Sequence, residues 1–187
     1  ILPHDADWIW YMGDDDHFPG TNSLLKLSEF LRQHDTDKEL VFVHACQARR
    51  SQGSGQICKS DVLGLCNQFG YVEMLGWISS IVMRVQPFRN ALQKIDKRVQ
   101  IARNEPQLGN SQSAFFHSSF LLEEIHNKKG AFIDFPFVEP QDESMTEDTR
   151  QRWQSENMGE RYIYVVDDLE RLKELGIPLR DLKPTFF

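Results

Sequence analysis

Cysteine is scarce in this chain. Only Cys46, Cys58 and Cys66 occur in 187 residues. They form an odd set without CxxC or paired spacing, which argues against a disulfide framework or a cysteine zinc site and fits a reducing compartment. Long apolar runs are lacking too. None approaches the roughly 18 to 20 residues that cross a bilayer, and no charged segment leads into an apolar core at the start. No long basic run occurs, and with a formal net charge of -7 the sequence speaks against nucleic acid as the main partner. Internal repeats and low-complexity tracts are missing as well. What remains is 40% hydrophobic and 11% aromatic residues, the composition of one soluble domain with a real core.

Strand and helix signals alternate along the first half. Trp8 to Met12 is aromatic and unbroken up to Gly13, which predicts a central strand covered on both faces. Thr21, Asn22 and Ser23 offer caps for a helix carrying Leu24, Leu25, Leu27, Phe30 and Leu31 and ending near His34. Leu40 to Ala45 reads as a strand, and the polar, glycine-containing stretch from Gln47 to Gln56 as a mobile loop. A short helix is expected from Ser60 to Gln68, a strand from Trp77 to Arg84, and a helix begun by Pro87 and continuing to Ile95.

In the second half, Glu105 to Ser111 is loop-like, and Gln112 to His126 reads as a helix stopped by Lys128, Lys129 and Gly130. Ala131 to Val138 predicts a strand interrupted by Pro136. Gln141 to Glu160 reads as a polar surface excursion, with Asp142, Glu143, Glu147 and Asp148 serving solubility. A last helix runs from Asp167 or Asp168 to Leu175, with Gly176 and Pro178 as stop signals. The fold class implied is α/β, a mixed sheet flanked by helices, with a helical extension from about residue 141.

The segment with the strongest chemical content is Met12-Gly13-Asp14-Asp15-Asp16-His17-Phe18-Pro19-Gly20. Three successive carboxylates repel one another and need solvent, hydrogen bonds or a cation. At the carboxyl end of a strand in an open α/β sheet they stand where such folds place ligands. Alternation along an extended chain would point Asp14 and Asp16 the same way, so that both bind one Mg²⁺ or Mn²⁺ while Asp15 meets a ribose or the backbone. A solvated acidic turn capping the next helix is the competing reading. An EF-hand is set aside, because Pro19 and Leu25 stand where its glycine and closing glutamate belong.

Asp7-Trp8-Ile9-Trp10-Tyr11-Met12-Gly13-Asp14-Asp15-Asp16 resembles the strand and DxD motif of GT-A glycosyltransferases, especially the bacterial family 2 type. Leu75-Gly76-Trp77-Ile78-Ser79-Ser80-Ile81-Val82-Met83-Arg84 resembles the acceptor-side strand of O-antigen-type transferases, and Phe115-Phe116-His117-Ser118-Ser119 the helix that follows. Together these span Asp5 to Val138. The resemblance implies a GT-A type fold and a metal-dependent transfer of a sugar from a nucleoside-diphosphate donor to a hydroxyl on a glycan or lipid-linked acceptor. The leaving diphosphate would be stabilised by the metal on Asp14 and Asp16. The setting would be cytoplasmic polysaccharide assembly, with a lipid-linked acceptor met at the inner face of the membrane. The family pattern also includes an N-terminal βαβ half that binds base and ribose. Ile1 leads almost at once into the first strand, so the chain is expected to be the acceptor-side piece of a longer protein. The Glu-Asp pair common in inverting members does not precede the helix at Gln112.

His117 stands in that neighbourhood, suited to general base, to third metal ligand, or to an ordinary helix position packed between Phe116 and Leu121 or bonded to Ser113. Glu124, two turns on, could orient or replace it. Glu73, just before an apolar strand, is a second candidate base. Trp77 offers an indole for a sugar face or for the core. Ser79 and Ser80 suit a ligand hydrogen bond or a small-residue packing need. Arg49 and Arg50 could clamp a diphosphate or lie solvated. Two other function classes remain: a metal-dependent phosphoesterase or nucleotidyltransferase, which would need more carboxylates, and a non-catalytic glycan- or partner-binding remnant.

Overall fold

The computed structural model describes residues 6–14, 16–34, 36–104, 116–140, 166 and 168–179, without the side chains of 101–104 and 116. Asp15, Ser113, Asp167, the loop expected over Glu105 to Ser111 and the polar excursion of 141–160 lie outside the described residues.

The architecture is mixed α/β. Six strands are described: β1 (Trp8–Trp10), β2 (Asp16–His17), β3 (Leu40–Gln47), β4 (Ile57–Asp61), β5 (Ile81–Arg84) and β6 (Lys129–Pro140). Their order is β1-β5-β3-β6-β2, with β4 also paired to β6. β5 runs antiparallel to both β1 and β3, whereas β3 and β6 are parallel. The strands β1, β3 and β6 therefore point the same way, and their carboxyl ends form one rim of the sheet.

The described helices are α1 (Thr21–Gln33), α2 (Val62–Phe69), α3 (Tyr71–Leu75), α4 (Val85–Asn104), α5 (Phe116–Ile125) and α6 over residues 168–174. One face of the sheet packs on α1, where Leu27 and Phe30 meet Val43, Ala45, Val82, Ala131 and Phe137. The other packs on the remaining helices, with Leu65, Met74, Phe88, Leu122 and Leu172 against Phe42 and Met83. Each fully buried large apolar side chain contributes about 1.5–3 kcal/mol. No helix among the described residues is long and apolar enough to cross a membrane.

Several expectations need correction. β1 is packed on both faces, Ile9 on one and Trp8 and Trp10 on the other. It nevertheless stands at the end of the strand order, and the central strand is β3, buried along its first seven residues. The expected strand from Trp77 to Arg84 begins as a 3-10 turn, Ile78–Ser80, because the Ser80 hydroxyl donates to the Trp77 carbonyl at 2.7 Å. Helix α1 has Gly20 at its N-cap, with no side-chain cap bond. Ser23 turns inward instead and donates to the Pro136 carbonyl at 3.0 Å, tying α1 to β6.

The sequence does not signal β4 as a strand, because its residues are of mixed polarity and alternate between exposed and half-buried. Asp61 closes it and caps α2, accepting from the Gly64 amide at 2.6 Å. Pro136 does not end β6. The strand accommodates it in an irregularity where Ala45 pairs with Ile133 and Gln47 with Val138, so residues 134–137 form a bulge in the pairing with β3.

His44 lies 1% exposed in the centre of β3, stacked on Phe132, its Nδ1 3.3 Å from the Met74 carbonyl. Burial lowers its pKa to about 4, and burial does the same to His117. Each ring stays neutral in the fold, while the unfolded chain takes up a proton below the ordinary histidine value of 6.5. Stability is therefore lost as pH falls from about 6.5 to about 4, by up to about 3 kcal/mol per ring. Melting curves between pH 7 and 4 are expected to show this fall, and His44→Leu should be flatter over the same interval. An equal slope in the variant would rule out His44 as a source.

Candidate functional site

The carboxyl rim gathers most of the predicted site residues. After Trp10 the chain leaves β1 and turns back, the Asp16 amide bonding to the Gly13 carbonyl at 3.4 Å. The acidic segment is therefore a turn, which corrects the expectation that Asp14 and Asp16 alternate along an extended strand. Asp14 faces solvent, and Asp16 is half-buried where it enters β2.

Ser79 holds this turn. Its hydroxyl accepts from the Gly13 amide at 2.7 Å and donates to Oδ2 of Asp16, and its carbonyl accepts from the Trp10 indole at 2.8 Å. Ser79 is 1% exposed. A hydroxyl can donate and accept at once, so one buried side chain fixes the acidic turn to the 3-10 turn. Trp77 packs among Trp10 and Met12 in the α1-side core, partly buried. Ser80 serves the local turn, bonded to the Trp77 carbonyl.

His117 approaches the same segment from the other side. Its Nε2 lies 3.1 Å from the Leu75 carbonyl, which also accepts from the Ser118 hydroxyl at 2.7 Å. Burial holds the ring pKa down at about 4, against the opposing pull of the Leu75 and Gly76 backbone. A neutral ring whose Nε2 faces a carbonyl donates there, so Nε2 is not offered to a metal in this arrangement. Residues 75–79 thus separate His117 on one side from Asp16 on the other. Gly76 is built into that bridge, because a Cβ there would stand 2.5 Å from the Val72 carbonyl oxygen.

Glu73 is paired with Arg50, which joins the loop after β3 to α3. Arg49 lies exposed in the same loop. Glu124 is not brought to His117. Seven residues along α5 displace it by about 10 Å, and it accepts from Asn90 of α4 at 3.3 Å and pairs with Lys94. Lys94 and Arg171 also pair with Glu123, so this pair of acids binds α4, α5 and α6 together.

One organising residue was not singled out from sequence. Asp134, in the bulge of β6, accepts from the Ser54 hydroxyl at 2.5 Å, the Ser51 hydroxyl at 2.8 Å and the Gln52 amide at 2.8 Å. These bonds, that of Ser54 foremost, hold its carboxyl below the usual carboxylate range. Gly53 and Gly55 supply the positive φ of 69° and 71° that wraps the loop around it. The stretch expected to be mobile is thus anchored to the sheet. Its only sequence signal is the run of serines and glycines, which names a turn but not its distant carboxylate.

The chemistry of the donor set suits a hard cation. Carboxylate oxygens such as those of Asp14 and Asp16 are the donor type that Mg²⁺ and Mn²⁺ favour. Among the described residues no group of three His, Cys, Asp or Glu side chains converges to hold a metal.

Two consequences can be measured. Ser79→Ala removes both side-chain bonds at a buried position, and urea unfolding should show a loss of about 1–3 kcal/mol; a change near zero would mean the turn is held by something else. Asp134→Ala should release the loop of residues 51–56, so that limited trypsin cleaves after Arg49 or Arg50 faster than in the parent. Unchanged cleavage would show that Arg50 and Glu73 alone retain the loop.

Comparisons of the chain with family models, with curated proteins and with solved structures return no significant match to any of them.

Proposed function

We propose that this chain is the acceptor-side part of a GT-A type glycosyltransferase that moves a sugar from a nucleoside-diphosphate donor to a glycan or lipid-linked hydroxyl. The observation that carries the reading is the anchoring of Asp16 by Ser79 at the carboxyl rim. The motif that resembles DxD and the segment that resembles the acceptor strand meet through that hydroxyl, although 63 residues separate them. Two sequence resemblances that share a contact support the reading more than either does alone.

On this reading Asp14 and Asp16 hold Mg²⁺ or Mn²⁺. When bound, the ion offsets the charge that develops on the leaving diphosphate. Ser79 orients Asp16 by donating to its Oδ2. Asp14, exposed beside it, completes the pair without further desolvation. Trp77 stiffens the floor of the turn. Arg50 could turn from Glu73 toward a diphosphate, a substitution of one anion for another that leaves Glu73 available as a base. His117, held near pKa 4, is a poor match for a base working at neutral pH and serves better to position residues 75–79.

Calorimetry of the full native gene product with UDP- and GDP-sugars, with and without Mn²⁺, tests this. Binding should require the metal and weaken by about tenfold or more in Asp16→Ala, a loss of at least about 1.4 kcal/mol. Ser79→Ala should weaken it less, with metal still required. Metal-independent binding, or binding equal in Asp14→Ala, Asp16→Ala and the parent, would sink the proposal. Cleavage of phosphodiesters without sugar transfer would transfer the same two aspartates to a phosphoesterase.

A further inference from the structure

The sheet has a second rim, at the amino-terminal ends of β1, β3 and β6, and a cleft of about 820 Å³ opens there. Its lining carries five cations, Lys38, Arg84, Arg89, Lys128 and Lys129. Two acids, Asp7 and Glu39, accompany them, and both are engaged: Glu39 pairs with Lys129, and Asp7 stands 4.0 Å from Arg84. In a chain of formal net charge -7, this is a marked segregation of positive charge.

The cations differ in kind. Arg84 is 8% exposed, with its guanidinium donating to the carbonyls of Leu40 at 3.3 Å and Asp37 at 3.5 Å and lying 4.3 Å from the Trp8 ring. It is a fixed charge in the cleft wall. Lys38 and Lys128 are exposed, and among the described residues neither makes an ion pair. The first turn of α4 opens on the same cleft through Val85, Gln86 and Pro87 and contains no acidic residue, so the helix dipole adds to the positive field. Like charges gathered this closely repel one another unless a compact anion of several charges sits among them.

We infer that this cleft binds a phosphate-bearing anion, with Arg84 as the fixed charge of its wall and Lys38 and Lys128 as the lysines that close on it. Lysine supplies point charges on long stems and suits phosphate oxygens that approach from solvent. A soluble diphosphate and an anionic phospholipid headgroup share this chemistry. The site lies at the opposite rim from Asp14 and Asp16 and does not rest on their role.

The test uses the whole protein in EDTA at low ionic strength, which removes any metal-dependent contribution from Asp14 and Asp16. Inorganic pyrophosphate is titrated by calorimetry, and vesicles of phosphatidylglycerol are compared with vesicles of phosphatidylcholine by sedimentation. Binding is expected in at least one arm, and the Lys38→Glu/Lys128→Glu double variant should weaken it by about tenfold or more. Both lysines are exposed, so the variant should keep the parent's circular dichroism and melting temperature. Pyrophosphate binding alone identifies a soluble anion, and phosphatidylglycerol binding alone identifies a headgroup. No binding in either arm, or full binding by the double variant, overturns the inference.

Discussion

The burial of β3 on both faces is the constraint from which the rest follows. A strand whose first seven residues are all buried must have cover above and below and partners on both edges. β5 and β6 supply the partners, one antiparallel and one parallel. A parallel partner cannot be reached by a tight turn, so the chain between β3 and β6 carries, among the described residues, β4, β5 and four helices before it returns. Those helices fill one face, and α1 fills the other. Gly130 marks how closely they approach, since a Cβ there would lie 3.0 Å from side-chain atoms of both Leu65 and Val62.

This arrangement places three strand ends pointing the same way at each rim, and the two rims have taken on opposite chemistry. At the carboxyl rim acidic groups gather in a turn, held by a buried serine. At the amino-terminal rim the cations collect around a cleft. The pairing of acids with their neighbours differs accordingly. Glu73, Glu123 and Glu124 are each neutralised by a cation that belongs to another element. Asp14 is exposed to solvent, and Asp16 accepts from the Ser79 hydroxyl.

Carboxylates also do much of the stitching. Asp61 starts α2, Asp134 gathers the loop after β3, and Asp168 of α6 accepts from Ser119 of α5 at 2.9 Å. Each of these bonds comes from an amide or a hydroxyl. An acidic composition is therefore partly structural in this protein.

Some of this was legible in the residues alone. The apolar run of Leu40 to Ala45 has no solvated alternative, and it is the buried strand. The periodic leucines of α1 fall on the predicted helix, and Gly176 and Pro178 end the last one as stop signals should. The order of strands was not legible, because the aromatic residues of β1 pack equally well at a sheet's end and at its centre. Nor could spacing show that Glu124 serves Lys94 and not His117, since helical periodicity names a face but not what covers it.

The sequence by itself determined which segments are apolar enough to be buried, where α1 and the last helix stop, and that three acids follow the first strand. Only the tertiary structure decided that Ser79 would hold Asp16, that Glu73 would meet Arg50, and that five cations from separate elements would line one cleft. The reason is physical. Local propensity and hydrophobic pattern act between residues a few positions apart, whereas a hydrogen bond or ion pair across 20 to 60 residues exists only once the sheet order has brought its partners within about 3 to 4 Å.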